Sequence, residues 1–238
     1  MHTDTVDGRP NVHEMVVIHR IFRRGFADLA DLARRVPPGE TAWAEAVAAH
    51  VEFMLNGLHH HHTSEDDYLW PLLLERTEPD AALVERMEAQ HEAVAGHVAR
   101  VRDLLPAWRK APSGTELGDS LEALVGALEP HLQEEETEIL PLVAEHVTTA
   151  EWRTLGDASF AKFTNDEKLI ALGQMLDVAT TAEAASFLQT LPWPVRVIWR
   201  VSGRRRYVRY MAAVNGQDRA GGRSRGATPG RRSGRPAA

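Results

Sequence analysis

Residues 61–71, HHTSEDDYLWP, and residues 131–141, HLQEEETEILP, carry the same chemical pattern at two places in the chain. In each stretch a histidine (His61, His131) precedes a glutamate (Glu65, Glu135) by four residues and a proline by ten. A four-residue step along an α-helix turns about 400° and rises about 6 Å, so imidazole and carboxylate lie on nearly the same face, one turn apart. This geometry suits two donors on adjacent metal ions.

The segments that precede these two stretches also match each other. Met15 stands four residues before His19 in MVVIH, and Met87 stands four residues before His91 in MEAQH. The chain therefore contains two similar helix pairs, each supplying one histidine and then one His-x-x-x-Glu. This repeat predicts that four histidines and two glutamates converge in the centre of one bundle. The apolar wall predicted around them consists of Met15, Phe22, Met54, Leu58, Leu69, Leu72, Val84, Val94, Val98, Leu124, Leu128 and Ile139.

Burial makes metal ions the favoured occupants of such a centre, because an unpaired carboxylate inside an apolar stripe costs several kcal/mol in desolvation. The chain has no cysteine, which excludes disulfides, thiolate metal sites, iron–sulfur clusters and cysteine nucleophiles. Imidazole and carboxylate without sulfur suit iron, manganese or zinc, and two carboxylates that can each bridge two cations favour a pair of iron ions. The alternative is a polar core without metal, and the duplicated spacing makes it the weaker interpretation.

Glycine and proline fall in a few clusters, which divide the chain into long segments of strong helix formers. Four long helices are predicted at about residues 11–35, 40–75, 80–110 and 115–146. Helices of this length with short connections favour an all-α, antiparallel up-down four-helix bundle over residues 10–148. No stretch shows the period-two alternation of a β-strand.

Beyond the bundle, the pattern predicts a helical extension over residues 149–214, ending in a helix rich in arginine and aromatic residues. The last segment, residues 215–238, contains glycine, arginine, serine and proline without apolar anchors, and is predicted to be a disordered basic tail. The division into bundle, extension and tail is the predicted domain organisation.

The net charge of −7 conceals a strong contrast along the chain. Residues 196–238 hold twelve arginines and one acid, Asp218, whereas residues 1–195 carry a net charge of −18. A basic end on an acidic body suggests docking on the protein's own bundle, on an anionic membrane or on nucleic acid, and the first is the favoured interpretation. The N-terminal sequence lacks the features of a secretory signal, and no run approaches about 20 apolar residues, so we expect a cytoplasmic protein.

At His19, His61, Glu65, His91, His131 and Glu135 the sequence resembles the hemerythrin HHE cation-binding family, over about residues 10–150. The resemblance implies a four-helix bundle in which histidines and two bridging carboxylates hold two non-haem iron ions. Oxygen-carrying members use a fifth histidine, four residues after the first on the third helix. Here that position is Ala95, and His97 lies about 240° from His91 around the helix. Two histidines for each iron would leave open coordination positions and favour reaction with oxidants over reversible oxygen carriage.

Three histidines flank His61, namely His59, His60 and His62, and they cannot all face inward. We expect at least two of them to be solvated, while His60 and His62 stay open as further ligands. Tyr68, one turn after Glu65, is another candidate, as a ligand or as a hydrogen-bonding partner of one. The favoured interpretation is that Tyr68 only contributes to the apolar wall around the centre.

The leading functional hypothesis is a hemerythrin-like diiron protein that binds or reacts with oxygen, nitric oxide or hydrogen peroxide in oxidative or nitrosative stress. Stoichiometric binding and enzymatic consumption of the oxidant both fit this pattern. A second hypothesis is an iron or oxygen sensor, or an interaction protein, that signals through its basic C-terminal extension. Metal storage ranks third, because one pair of ions per chain is a small capacity. No Gly-x-Ser-x-Gly motif or phosphate-binding glycine loop supports nucleophilic catalysis.

Overall fold

The computed structural model describes residues 5–6, 9–77 and 81–217, and nearly all of them are helical. The helices are α1 (His13–Arg35), α2 (Thr41–Ser64), α3 (Trp70–Arg76), α4 (Ala81–Lys110), α5 (Glu116–Glu134), α6 (Leu140–His146), α7 (Thr149–Ala161), α8 (Asn165–Val178), α9 (Thr181–Thr190), α10 (Trp193–Ile198) and α11 (Arg204–Val214). Three π-helical turns connect helices that follow each other directly: π1 (Glu65–Leu69), π2 (Glu135–Ile139) and π3 (Trp199–Gly203). A two-residue antiparallel pair, β1 (Thr5–Val6) with β2 (Arg9–Pro10), precedes α1. The prediction of an all-α chain is confirmed.

The four long helices α1, α2, α4 and α5 pack into a bundle in which α1 and α4 each contact both α2 and α5. One apolar cluster includes Phe26, Leu55 and Leu121, and a second includes Trp70 and Met87. Of the twelve predicted wall residues, ten are buried, and the other two, Leu72 and Val98, are half-buried. The helical spacing of apolar residues therefore identified the inner faces of the bundle correctly.

The second and fourth predicted helices are not uninterrupted, because π1 and π2 divide them. Proline has no backbone N–H, and its ring clashes with the carbonyl four residues back in an α-helix. Just before Pro71, the backbone N–H of Trp70 donates to the carbonyl of Glu65, five residues back. The wider turn lets the helix continue past the proline, and π2 repeats the arrangement ahead of Pro141. Such π turns are frequent at functional sites.

The C-terminal helices pack on the outside of the bundle, with α8 on α1 and α11 on α2. The indole N–H of Trp43 donates to the carbonyl of Val214 at 2.7 Å, and the hydroxyl of Tyr210 lies 2.9 Å from Nδ1 of His50. Residues 215–217 form a turn after α11, and the rest of the predicted disordered tail lies outside the described residues. The predicted domain boundaries stay a prediction. Within the described ranges, no helix has the length and apolar character needed to cross a membrane.

Gly173 on α8 provides a test of how tightly α11 is held. The ring of Tyr207 covers Gly173, and a Cβ at this position would lie 2.3 Å from the ring. We expect Gly173→Ala to displace Tyr207 and lower the free energy of unfolding by about 1–3 kcal/mol. The matched control is Gly126→Ala on α5, where a Cβ meets nothing within 4 Å. The control should stabilise the protein by up to about 1 kcal/mol, because alanine favours the helix. Urea unfolding measures both variants, and equal changes would contradict this packing.

Candidate metal centre

The six side chains predicted as metal ligands come together inside the bundle. They are distributed over four helices and two π turns: His19 on α1, His61 on α2, His91 on α4, His131 on α5, Glu65 at the start of π1 and Glu135 at the start of π2. All six are buried, with exposed fractions from 0 to 7%. The ring of Phe22 from the first apolar cluster packs on His61, and Trp70 from the second packs on His91. The centre therefore lies between the two apolar clusters, and both of them shield it from solvent.

The donor atoms form two adjoining groups of buried side chains. In each group, one donor atom from every residue lies within 4.8 Å of the others. The first group consists of His62, Glu65, His91 and His131, and the second of His19, His61 and Glu135. Each group has enough nitrogen and oxygen donors to hold a metal ion.

Each carboxylate also lies close to a histidine of the other group. Glu65 has Oε2 3.5 Å from Nε2 of His91 in its own group, and Oε1 3.2 Å from Nε2 of His61 in the other. Oε2 of Glu135 lies 3.2 Å from Nε2 of His19 and 3.9 Å from Nε2 of His131. When two donor atoms bind the same ion at about 2.1 Å and their bonds make a right angle, the two atoms are about 3 Å from each other. These separations fit carboxylates that bridge two ions.

Nine donor atoms in the centre have no hydrogen-bond partner among the described residues. They are Nε2 of His19, His61, His62, His91 and His131, and both carboxylate oxygens of Glu65 and Glu135. A buried polar atom without a partner costs about 1–3 kcal/mol, and a charged one costs more. Nε2 of His19 and of His61 each lie 3.2 Å from a glutamate oxygen, which is ion-pair distance without the geometry of a hydrogen bond. Their arrangement disfavours the metal-free polar core and fits the donor set of a metal site.

His62 is a fifth histidine in the centre, and the sequence analysis left it only as an open candidate. It is 8% exposed, and its ring stacks on that of His91 with centroids 4.0 Å apart. Along an α-helix, Glu65 is turned about 40° from His61 and about 60° from His62 in the opposite sense, so both rings flank the carboxylate. The equivalent position on α5 is Leu132. The expectation of two histidines in each group is therefore wrong, because one group has three.

The remaining candidate ligands lie outside the centre. His59 is exposed, and the ring of His60 packs against Phe163. Of the three histidines that flank His61, His62 is the one that turns inward, while His59 is exposed and His60 is half-buried. Tyr68 is 44% exposed and is not a wall residue. It belongs to π1, whose wider turn carries it away from the face of Glu65.

Three of the five histidines donate a hydrogen bond through Nδ1, which leaves Nε2 to face the centre. The acceptors are Glu136 for His19 (2.8 Å), Asp66 for His91 (2.7 Å) and Gln90 for His131 (3.2 Å). These hydrogen-bonding partners were not predicted from the sequence. Their signal is in the repeat itself, since an acidic residue directly follows both Glu65 and Glu135. In each half of the repeat, the glutamate (Glu65 or Glu135) lies in the centre. The acidic residue that follows it accepts a hydrogen bond from a histidine of another helix.

The partners are themselves held by further hydrogen bonds. Arg23 donates to Glu136 at 2.6 Å. The amide NH₂ of Gln90 donates to Glu134 at 2.7 Å, and Arg86 donates to the same carboxylate. These contacts orient the imidazole rings before a metal binds, which reduces the cost of assembling the site.

Burial keeps most of the imidazoles in the neutral form that binds metal. It lowers the pKa of His61 and His62 well below the ordinary histidine value, and that of His131 to about 4. Burial alone would also lower the pKa of His19, but the carboxylates of Glu135 and Glu136 outweigh it and raise this pKa to about 9. His19 therefore carries a proton at neutral pH when no metal is bound.

The two glutamates differ in protonation for related reasons. Burial, with the charge of Glu135 nearby, raises the pKa of Glu65 well above the ordinary glutamate value. For Glu135, burial acts in the same direction but is outweighed by His19, and the pKa falls to about 2. Without metal, burial favours the protonated form of Glu65, while Glu135 is ionised beside the His19 imidazolium.

The fold and the site together define a helical protein whose buried histidine and glutamate groups can hold metal ions. The hemerythrin HHE cation-binding domain matches residues 11–143, more than half of the chain. The protein belongs to this family, and the resemblance seen in the motifs is confirmed. Comparisons with curated proteins and with solved structures find no match.

Proposed function

We propose that the protein holds two iron ions, one in each donor group, and that the pair binds or reacts with oxygen, nitric oxide or hydrogen peroxide. The observation that carries the proposal is the set of nine buried, unpartnered donor atoms in two groups linked by two carboxylates. Iron fits this donor set better than zinc, which favours four-coordinate sites, or manganese, which favours oxygen ligands. When bound, a ferrous pair would supply electrons to the oxidant.

The two ions would receive different numbers of histidine ligands. His62, His91 and His131 would hold the first ion and His19 and His61 the second, with both glutamates shared. The second position has fewer protein donors, so we place the small ligand there. All seven side chains are at most 8% exposed, so a small ligand suits this buried centre better than a large one. With three histidines in one group, the argument from sequence against reversible oxygen binding no longer holds, and the proposal includes both binding and reaction.

Anaerobic loading with ferrous iron, followed by oxygen, nitric oxide or peroxide, tests this function. We expect a new visible absorption band and loss of the added oxidant in amounts that scale with bound iron. Metal-free protein given the same oxidants is the control and should show neither. Iron-loaded protein that develops no new absorption and consumes no oxidant would overturn the proposed function.

His62→Ala tests the assignment of the fifth histidine. If His62 holds the first ion, its removal should weaken one of the two binding positions by at least about 100-fold and leave the other nearly unchanged. His59→Ala removes an exposed histidine from the same turn of α2 and is the matched control, with no expected effect. Metal titration followed by calorimetry measures both affinities. Two unchanged affinities in His62→Ala would exclude His62 from the site.

Metal binding should release protons, because His19 carries a proton in the metal-free centre and burial favours the protonated form of Glu65. A metal must displace the proton of His19 at any pH below about 9, so the apparent affinity should rise with pH up to that value. We expect at least about one proton per chain, that of His19, to leave on loading at neutral pH. Calorimetry in two buffers with different ionisation enthalpies gives the proton count, and a count of zero would contradict the protonation states assigned here.

The proposal includes the up-down, antiparallel course of the four long helices. On α1 and α5, Arg23 pairs with Glu129 while Arg34 pairs with Asp119, so residue numbers rise on one helix as they fall on the other. Ion pairs between α4 and α5 follow the same opposed order. This arrangement supports a centre to which each helix pair contributes equivalent positions.

A sensor function stays a prediction, favoured by one feature of α2. The helix carries His61 and His62 in the centre, and through Trp43 and His50 it also contacts α11. A change at the centre that shifts α2 would therefore reach the C-terminal extension directly. The cytoplasmic location and the part in stress defence also stay predictions.

A further inference from the structure

The outer face of the last helical rod, α10 with π3 and α11, is unusually apolar. Eight large apolar side chains are exposed in the described part of the chain, and five of them lie here: Trp193 (69%), Val197 (48%), Ile198 (50%), Val201 (72%) and Val208 (55%). Trp193, Val197 and Val201 follow each other at four-residue spacing, which lines them up along the rod. Grouped exposure of this kind marks an interaction surface.

The inner face of the same rod is already packed. Trp199, Tyr207 and Val214 are buried, with exposed fractions of 8% or less. Gly203 lies against Leu169 of α8, and Tyr207 donates a hydrogen bond to Asp177. The outer apolar side chains are therefore not needed to attach the rod to the bundle.

The outer face is also strongly cationic. Arg196, Arg200, Arg204, Arg205 and Arg209 are exposed, and none of their side chains has a hydrogen bond or ion pair within the described ranges. Arg206 differs because it pairs with Asp166 of α8. Residues 193–217 contain no acidic residue. The surface therefore combines unpaired guanidinium groups with exposed tryptophan and aliphatic side chains.

We propose that this face docks on the surface of an anionic lipid bilayer, with the rod lying parallel to the membrane plane. Trp193, Val197 and Val201 enter the boundary between headgroups and acyl chains, while the arginines contact lipid phosphates. A nucleic acid would attract the arginines but would not account for the row of exposed apolar side chains between them.

Sedimentation of the full chain with lipid vesicles tests this proposal. The protein should bind vesicles containing about 30% phosphatidylglycerol, bind pure phosphatidylcholine vesicles far more weakly, and dissociate as salt rises. Because residues 218–238 carry six further arginines, attraction by charge alone must be separated from docking of the rod. A triple variant, Trp193→Ser with Val197→Ser and Val201→Ser, keeps every arginine and should bind anionic vesicles at least about tenfold more weakly.

The matched control is Leu74→Ser with Phe160→Ser, which removes two exposed apolar side chains from α3 and α7. It should bind vesicles like the unaltered protein, and circular dichroism should show all three proteins equally helical. Unreduced binding by the triple variant would assign the attraction to arginine charge alone and overturn the proposal. Failure to bind anionic vesicles would overturn it too, and tight binding of duplex DNA in that case would assign the face to nucleic acid.

Discussion

Glu65→Ala should abolish binding of both ions of the proposed diiron site, not of one. The two oxygens of Glu65 lie 3.2 Å from Nε2 of His61 and 3.5 Å from Nε2 of His91, in different donor groups. Removing a bridging carboxylate therefore takes a ligand from each ion and leaves their mutual repulsion less compensated. We expect metal bound after iron loading and gel filtration to fall from about two ions per chain to well below one.

The control for this substitution is Asp67→Ala, two residues further along π1, where the side chain is exposed. It tests whether a change in the π turn alone disturbs the site, and it should retain the full metal content. Glu65→Ala that still binds two ions, or loses only one, would contradict the bridging role. Circular dichroism of the metal-free variants should show that both remain helical.

Removal of metal should lower the melting temperature by about 10–20 °C. A ligand that binds only the folded state at 100 times its dissociation constant stabilises it by about 2.7 kcal/mol, so two ions contribute about 5 kcal/mol. In a chain of this size, 1 kcal/mol corresponds to about 2–4 °C. The physical origin is the set of nine buried donor atoms, which make no hydrogen bond within the described chain and are close enough to one another to share metal ions.

Thermal unfolding followed by circular dichroism, with ferrous iron under anaerobic conditions and again with excess chelator, measures this difference. Glu65→Ala provides the control, since its melting temperature should not respond to iron. If the unaltered protein melts within about 2 °C of the same temperature in both conditions, metal does not occupy the centre.

The parts of the site that sequence predicted are those fixed by local geometry. The four-residue step from His61 to Glu65 sets their common face wherever the segment is helical, and the same holds for His131 and Glu135. The structure places all of these side chains, with His19 and His91, in one buried centre. Convergence was predictable because the two helix pairs repeat the same pattern.

The inward orientation of His62 depended on something that local geometry does not fix. The rotation of α2 about its own axis is set by packing against α1 and α4, and it decides which neighbours of His61 face the centre. The angular position of Glu65 between His61 and His62 was a usable signal, as was the contrast between His62 and Leu132 in the two halves. The repeat encouraged a symmetric prediction, and the chain departs from symmetry at this position.

The π turns and the docking of α11 are two further features that could not be predicted from the sequence. Each proline follows its site glutamate by six residues, which is compatible with a kink, a helix end or a π turn. The π turn prevails because it accommodates the ring while the helix continues into the second apolar cluster. The contact between Trp43 and Val214 joins residues 171 positions apart, and no local pattern predicts such a pairing.

The most direct test of the account is anomalous X-ray scattering at the iron absorption edge, from crystals of protein loaded with ferrous iron. The account predicts two peaks about 3.5–4 Å apart, one beside His62, His91 and His131 and the other beside His19 and His61. A single peak, peaks outside these groups, or no iron at all would contradict the central claim that the buried histidines and glutamates form a dinuclear iron site.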